Sequence, residues 1–264
     1  MISYPDIKPY IIKIGPLQVR WYAFMYIVGF FSSYLLVKYQ IKKKKIPIEK
    51  PIIGDIYFYL ILGVILGARL GYVIFYDFFE YVKNPLEIIA VWHGGMSFHG
   101  GLIGALIAGK YIAKNRNIDF WLLGDLIVVT APIGLGLGRI GNFINGELYG
   151  RVTNVPWAMV FPDRGGLPRH PSQLYETFFE GVVLFTILWL LKDRIKTKGN
   201  LTALFVILYG VARFMIEFFR EPDAQLGFIA AFLTIGQILS LLMIIAGLFI
   251  LFRKDVRTSR RVSL

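Results

Sequence analysis

Four short runs in this 264-residue chain gather residue types that act on anions and nucleophiles. The first is His93-Gly94-Gly95-Met96-Ser97-Phe98-His99-Gly100-Gly101, at the start of an apolar stretch. Imidazole is a suitable general base near neutral pH, and the glycines around His99 leave room for a substrate to come close. The plainer reading is a histidine that bonds a carbonyl at a helix end. The second run, Gly138 to Gly150, sets Arg139, Asn142, Asn145 and Glu147 among four glycines. A guanidinium presents a planar fork of donors that fits phosphate bidentately. Asparagine orients hydroxyls or ester carbonyls, and glycine-rich backbone turns its N–H groups toward an anion. A polar surface loop is the alternative.

The third run is Arg169-His170-Pro171-Ser172-Gln173-Leu174-Tyr175-Glu176. Pro171 suits a chain starting a helix, and Ser172-Gln173 reads as its cap; capping alone accounts for the motif. In the fourth, Tyr209 to Asp223, Arg213 and Glu217 stand four apart and pair on one helix face. A charge at the centre of a membrane helix costs about 2.5–3.5 kcal/mol on insertion scales. Arg213 is therefore either a functional cation or half of a structural ion pair. Arg69 either joins the same cavity or bonds carbonyls, and Tyr22 and Tyr26 read as interface aromatics. Asp125 has no obvious partner.

The elements that carry these residues are apolar. Hydrophobic residues make up 56% of the chain and charged ones 17%, and the mean hydropathy is +0.60. That composition argues against a water-soluble globule and rules out a disordered or fibrous chain. Seven stretches, about 21–37, 52–76, 98–113, 120–137, 174–191, 201–219 and 230–252, approach the ~20 residues a spanning helix needs. The expected architecture is an all-α integral membrane protein of seven transmembrane helices, one polytopic domain over residues 1–264. A small extracytoplasmic loop region is expected at about 139–173. Twenty largely polar residues precede the first apolar run, which does not read as a cleavable signal peptide.

Charge sets the expected orientation. The net charge is +12, and the run Lys42 to Lys45 belongs on the cytoplasmic side, with the N-terminus outside and the C-terminus inside. On that assignment 18 basic residues fall in cytoplasmic segments and 9 outside. Thirteen of the 27 glycines lie between Gly94 and Gly150, which predicts a shaped cavity or tight helix contacts there. The absence of cysteine excludes disulfides, thiolate metal sites and a cysteine nucleophile. With three histidines and no HExxH, a dedicated zinc site is not expected. Together these residues suggest a site for an anionic, partly lipidic substrate near the outer leaflet; a transporter with a midplane anion site has a similar profile.

The runs HGGMSFHGG at 93–101, GRIGNFINGELYG at 138–150, RHPSQLYE at 169–176 and RFMIEFFREPDAQ at 213–225 agree in order and spacing with one family. From about Trp21 to Phe252 the chain resembles the prolipoprotein diacylglyceryl transferases. The resemblance implies seven spans, N-terminus out and C-terminus in, in the bacterial cytoplasmic (inner) membrane. It implies transfer of the diacylglyceryl group of phosphatidylglycerol to the lipobox cysteine thiol of a prolipoprotein signal peptide, giving a thioether and glycerol phosphate. The partners it implies are lipid bilayer, phosphatidylglycerol and prolipoprotein, with no nucleic acid, metal or organic cofactor. By resemblance either His99, the natural candidate, or an arginine activates the substrate thiol, whose ordinary pKa is ~8.5. Arg139 and Arg213 bind the headgroup and act in catalysis, with Tyr22 and Glu147 as further catalytic positions. Asn142, Gly150, His170, Tyr209, Glu217 and Arg220 complete the implied lipid site. His93 stands where relatives can have Asp and takes no catalytic role.

Overall fold

The computed structural model describes residues 2–5, 7–15, 17–161, 165–221, 228–229 and 233–262, with residues 17, 93, 228–229 and 253–262 described by backbone alone. In chain order the elements are β1 (Ile2–Ser3), β2 (Tyr10–Ile14), β3 (Leu17–Arg20), α1 (Trp21–Lys43), α2 (Lys50–Phe75), α3 (Phe78–Lys83), α4 (Phe98–Asn115), α5 (Phe120–Val128) and α6 (Ala131–Ile144). After these come β4 (Met159–Val160), β5 (Pro168–Arg169), α7 (Ser172–Leu191), α8 (Asn200–Ile216), β6 (Phe228–Ile229), β7 (Leu233–Thr234) and α9 (Ile235–Val262). The helices dominate, as expected, but short strands pair outside them: β1-β4-β5, β2-β3 and β6-β7. The motif tail at 222–225 lies outside the described residues.

Among the described residues four helices are long and apolar enough to cross a membrane: Trp21–Lys43, Lys50–Phe75, Ser172–Leu191 and Ile235–Phe252. The pair α5 and α6 makes a fifth if its 45° bend is one broken span. That bend has a local cause: Pro132, in the first turn of α6, offers no N–H to continue the ladder from α5. Thr130 at the break donates its hydroxyl to the Ile127 carbonyl and meets Ser33 Oγ at 2.6 Å. Asn200–Ile216 is apolar but shorter, and α4 carries Lys110 and Lys114 in its second half. Side chains such as Ile27, Phe31, Phe58, Leu66, Ile245 and Phe249 are exposed on these helices, as lipid-facing residues would be.

Boundaries differ from the sequence expectation in several places, α1 among them, which runs past 37 to Lys43. The helix expected to stop at 137 runs to Ile144, so Arg139 and Asn142 are helical residues rather than part of a loop. α8 ends at Ile216, leaving Glu217 at its C-terminal boundary. The stretch expected as a span from 230 begins its helix at Ile235.

The chain divides into two compact units, Lys38–Gly124 and the combination of Met1–Val37 with Asp125–Leu264. In the first, α2 and α4 meet along a seam of small residues four apart: Gly63, Gly67 and Gly71 against Gly100, Gly104 and Ala108. A Cβ on Gly67 would lie 2.8 Å from Gly104 Cα, and one on Gly71 would lie 2.8 Å from Gly100 Cα. The glycines next to His99 therefore serve close helix packing. Arg69, buried in α2, donates to the carbonyls of Glu87, Ile88, Ala90, Gly94 and Gly95 and so fixes the segment leading into α4. Of its two sequence readings, carbonyl bonding is the one realised.

In the second unit Asp125 finds its partners at the start of α8. Its carboxylate accepts from the Gly199 N–H, the Thr202 N–H and the Thr202 hydroxyl, the latter two at 2.8 Å. A buried acid thus caps a helix distant in sequence.

Replacing Gly104 by Val should lower the unfolding midpoint of the purified protein by several degrees. Its side chain would land on the Gly63 carbonyl, and overpacking typically costs about 1–3 kcal/mol. Gly54→Ala, on the same partner helix but with open space around it, should leave the midpoint within about a degree or raise it. Equal thermal-shift results for the two variants would remove the seam from the stability argument.

Candidate functional site: a buried arginine–glutamate cluster

The cluster starts from glycine. In the unit formed by Met1–Val37 and Asp125–Leu264, Gly136 of α6 faces Gly181 of α7. A Cβ on either would come within 3.1 or 2.9 Å of the other's Cα. This approach sets Arg139, one turn further along α6, against Glu176 and Glu180 of α7. Residues Thr177–Val183 of α7 wind as π-helix, a geometry frequent at functional sites. Both glutamates are wholly buried.

Glu176 gathers three arginines. Its Oε1 accepts from Arg213 Nη1 and, at 3.2 Å, from Arg220 Nη1. Its Oε2 lies 3.2 Å from Arg139 Nε, an ion-pair contact out of line with the N–H. Glu217 pairs with Arg213 Nη2 at 2.7 Å, as the four-residue spacing predicted. Its other oxygen accepts from Thr234 Oγ1 at 3.0 Å, and its carboxylate sits against Gly236 in the first turn of α9, where the helix dipole favours an anion. Glu180 is different. It lies 3.6 Å from Arg139 and 3.9 Å from Arg213, and neither of its oxygens accepts a hydrogen bond among the described residues.

The two arginines singled out by the sequence are not equivalent. Arg213 commits both terminal amines to carboxylates. Arg139 turns its Nε to the glutamates, and its terminal amines form no hydrogen bond among the described residues. The Arg139 fork is therefore the part of the cluster with donors available to an oxyanion. Tyr209, buried in α8 one turn before Arg213, lies on the same helix.

A hydrogen-bonded loop follows α6. Asn142 and Asn145 both donate to Glu147 Oε1, at 2.8 and 3.1 Å. Gly146 and Leu148 take positive φ, +63° and +58°, so the loop doubles back at once. Ser172 and Gln173 do not cap α7, whose boundary residue Pro171 has no side-chain cap bond. They hold this loop instead: Ser172 Oγ donates to the Leu148 carbonyl and Gln173 Nε2 to the Glu147 carbonyl. Gly150 is where three strands of chain converge. Its N–H donates to the His170 carbonyl, and a Cβ there would meet His170 and the Phe219 carbonyl. His170 Nδ1 lies 3.1 Å from the Tyr175 hydroxyl, to which Trp157 Nε1 donates. Tyr22 and Tyr26, whose hydroxyls are 3.2 Å apart, pack on Gly141 and Gly138, the two glycines that flank Arg139 on its helix.

Ten of the sequence-predicted residues thus belong to one unit: Tyr22, Arg139, Asn142, Glu147, Gly150, His170, Tyr209, Arg213, Glu217 and Arg220. His99 belongs to the other, Lys38–Gly124. It is exposed there at the start of α4, edge-on to Phe98, on a helix capped by Ser97 through Gly100 N–H. In the sequence Glu176 stands as the last residue of the RHPSQLYE run, and Glu180 lies in none of the four runs. The usable signal was present: two acids four apart inside an apolar run.

Glu176→Ala should destabilise the protein by about 3–5 kcal/mol, the cost of leaving buried charges without their partner. Chemical or thermal unfolding in detergent checks this, and a shift under about 1 kcal/mol would show that Glu176 does not hold the three arginines together. A pH dependence comes from His170, which burial holds below its ordinary 6.5. The folded state favours the neutral ring, so its contribution is complete above about pH 6.5 and is lost as the pH falls below it. The unfolding midpoint should therefore drop between pH 7 and 5, and His170→Asn should flatten that part of the profile.

Comparison with known proteins places the chain. The sequence model of the family described as prolipoprotein diacylglyceryl transferase matches residues 9–253. A phosphatidylglycerol–prolipoprotein diacylglyceryl transferase of Desulfotalea psychrophila is 50% identical over 266 residues, covering 98% of each chain. The protein of that name from Geobacter sulfurreducens is 50% identical over 247 residues, 94% of this chain and 95% of its own. That of Francisella tularensis subsp. mediasiatica is 50% identical over 262 residues, 98% of both. This chain belongs to the prolipoprotein diacylglyceryl transferase family.

Proposed function

We propose that the Arg139 fork receives the phosphate of phosphatidylglycerol, in an enzyme that transfers the diacylglyceryl group to prolipoprotein in lipoprotein maturation. The observation that carries this is a guanidinium with unbonded terminal donors, held by buried carboxylates among apolar helices. Such a fork matches two phosphate oxygens at once. In this reading the prolipoprotein's lipobox cysteine loses its proton to His99. The thiolate sulfur attacks the glyceryl carbon that bears the phosphate ester. The S–C bond forms as the C–O bond breaks, and the electron pair leaves on glycerol phosphate. Arg139 and Arg213 stabilise the negative charge that gathers on the departing phosphate. Asn142 and Glu147 position the loop beside it, Gly150 permits its close packing, and Tyr22, Tyr209, His170, Glu217 and Arg220 shape and support the lipid site.

The same reading sets the whole chain in the bacterial inner membrane as one polytopic domain. It has seven spans, with α4 and α8 as the short ones and the broken α5–α6 pair as one. Its N-terminus is outside and its C-terminus cytoplasmic. The excess of basic residues in the segments assigned to the cytoplasm supports that orientation.

Purified protein, phosphatidylglycerol and a lipobox peptide should yield diacylglyceryl-peptide and glycerol phosphate, read by mass spectrometry. His99→Asn should lower kcat by at least about 100-fold, in line with loss of a general base, with lipid binding retained. Full turnover by that variant would remove His99 from the base role, and no product from the unaltered protein would overturn the transfer itself.

A further inference from the structure

The cluster contains one carboxylate that its structural role does not require. Glu176 gathers three arginines, two of them by hydrogen bonds to its Oε1 and Arg139 by an ion-pair contact, and Glu217 links Arg213, its ion-pair partner, to α9 through the hydrogen bond from Thr234 Oγ1. Glu180 is as deeply buried as Glu176, yet it is bonded by nothing among the described residues and reaches Arg139 and Arg213 only at 3.6 and 3.9 Å. A buried carboxylate without hydrogen bonds is costly to keep, and an apolar or amide side chain would fill the same volume. What an ionised Glu180 would supply is charge, within ion-pair reach of Arg139 and Arg213. With Glu180 ionised, three guanidiniums (Arg139, Arg213, Arg220) face three carboxylates (Glu176, Glu180, Glu217), and the cluster is formally neutral. Without it the cluster carries one net positive charge.

That balance bears on the two anions the site would meet, an argument that rests on the proposed headgroup site. The lipid is a phosphodiester with a single charge. The leaving group is a phosphomonoester, whose second ionisation lies near pH 6 and which carries close to two charges at neutral pH. Extra positive charge in a low-dielectric site would favour the more highly charged ion. A cationic cluster would therefore hold its own product more tightly than its substrate. We propose that Glu180 is a discriminating counter-ion: it keeps the Arg139–Arg213 site neutral so that the diester lipid is accepted and the glycerol phosphate product is released.

The test compares Glu180→Gln, Glu180→Asp and Arg139→Gln with the unaltered enzyme in detergent. Both the KM for phosphatidylglycerol and the inhibition constant of added glycerol phosphate are measured. Glu180→Gln should tighten glycerol phosphate inhibition about tenfold or more, with a smaller fall in KM, and product release should slow turnover. Glu180→Asp, which keeps the charge, should retain the ratio of the two constants seen in the unaltered enzyme. If Glu180→Gln leaves that ratio unchanged, or weakens inhibition relative to KM, the inference is overturned. Should the Gln variant fail to fold, Glu180→Met, which removes the charge at similar volume, takes its place with the same two outcomes. Arg139→Gln separates this from the site reading. It should weaken both ligands, and if it changes neither constant, the phosphate site itself is wrong.

Discussion

One carboxylate organises the arginines of this protein. Glu176 offers two oxygens to three guanidiniums that come from α6, from α8 and from the segment after α8. Among buried apolar helices an unpaired guanidinium would be driven out toward water or would draw water in. Paired to a fully buried acid, each arginine keeps its charge and a fixed direction. The helix contacts exist to make that pairing possible. Arg139 reaches Glu176 because Gly136 and Gly181 let α6 and α7 touch backbone to backbone. A side chain at either position would separate the helices and lengthen the ion pair.

Ion pairs of this kind are weak evidence for stability. Replacing a buried pair by well-packed apolar residues is often neutral or stabilising, while removing one partner is strongly destabilising. A membrane helix bundle needing only to pack has no use for three arginines and three glutamates in its interior. Arg213 and Arg220 have carboxylate partners that account for them, but the terminal amines of Arg139 go unbonded within the described residues. A donor fork left over beside paired charges is what the proposed phosphate site requires.

Much of this was legible in the sequence, and the rest was hidden for physical reasons. Apolar run lengths marked the helices, because lipid-facing surface leaves a composition signal that needs no partner. The Arg213–Glu217 pair was legible because both residues lie on one helix at fixed spacing. Polarity marks the end of α6 as loop in the sequence, whereas Arg139 and Asn142 are polar helical residues facing partners on other elements. Ser172 and Gln173 have the right identities for a cap, but a loop 24 and 26 residues away in the chain competes for them and wins. Asp125 and Glu176 could be seen only as charges in apolar runs, since their partners are set by tertiary contact.

Glycine shows why one residue type can mislead and inform at once. Around His99 it suggested room for a substrate, whereas Gly100 and Gly104 are consumed by the seam with α2. In the 138–150 block it suggested backbone turned toward an anion. There Gly138 and Gly141 instead seat Tyr26 and Tyr22, and Gly150 admits the backbones of His170 and Phe219. In both runs the glycines act one step back from the chemistry. They let helices and loops approach closely enough that a few long polar side chains, chiefly Arg139, Glu176 and Glu147, are held without slack. The glycines of these two runs thus largely meet a packing requirement, and the polar groups they frame depend on that packing for their direction.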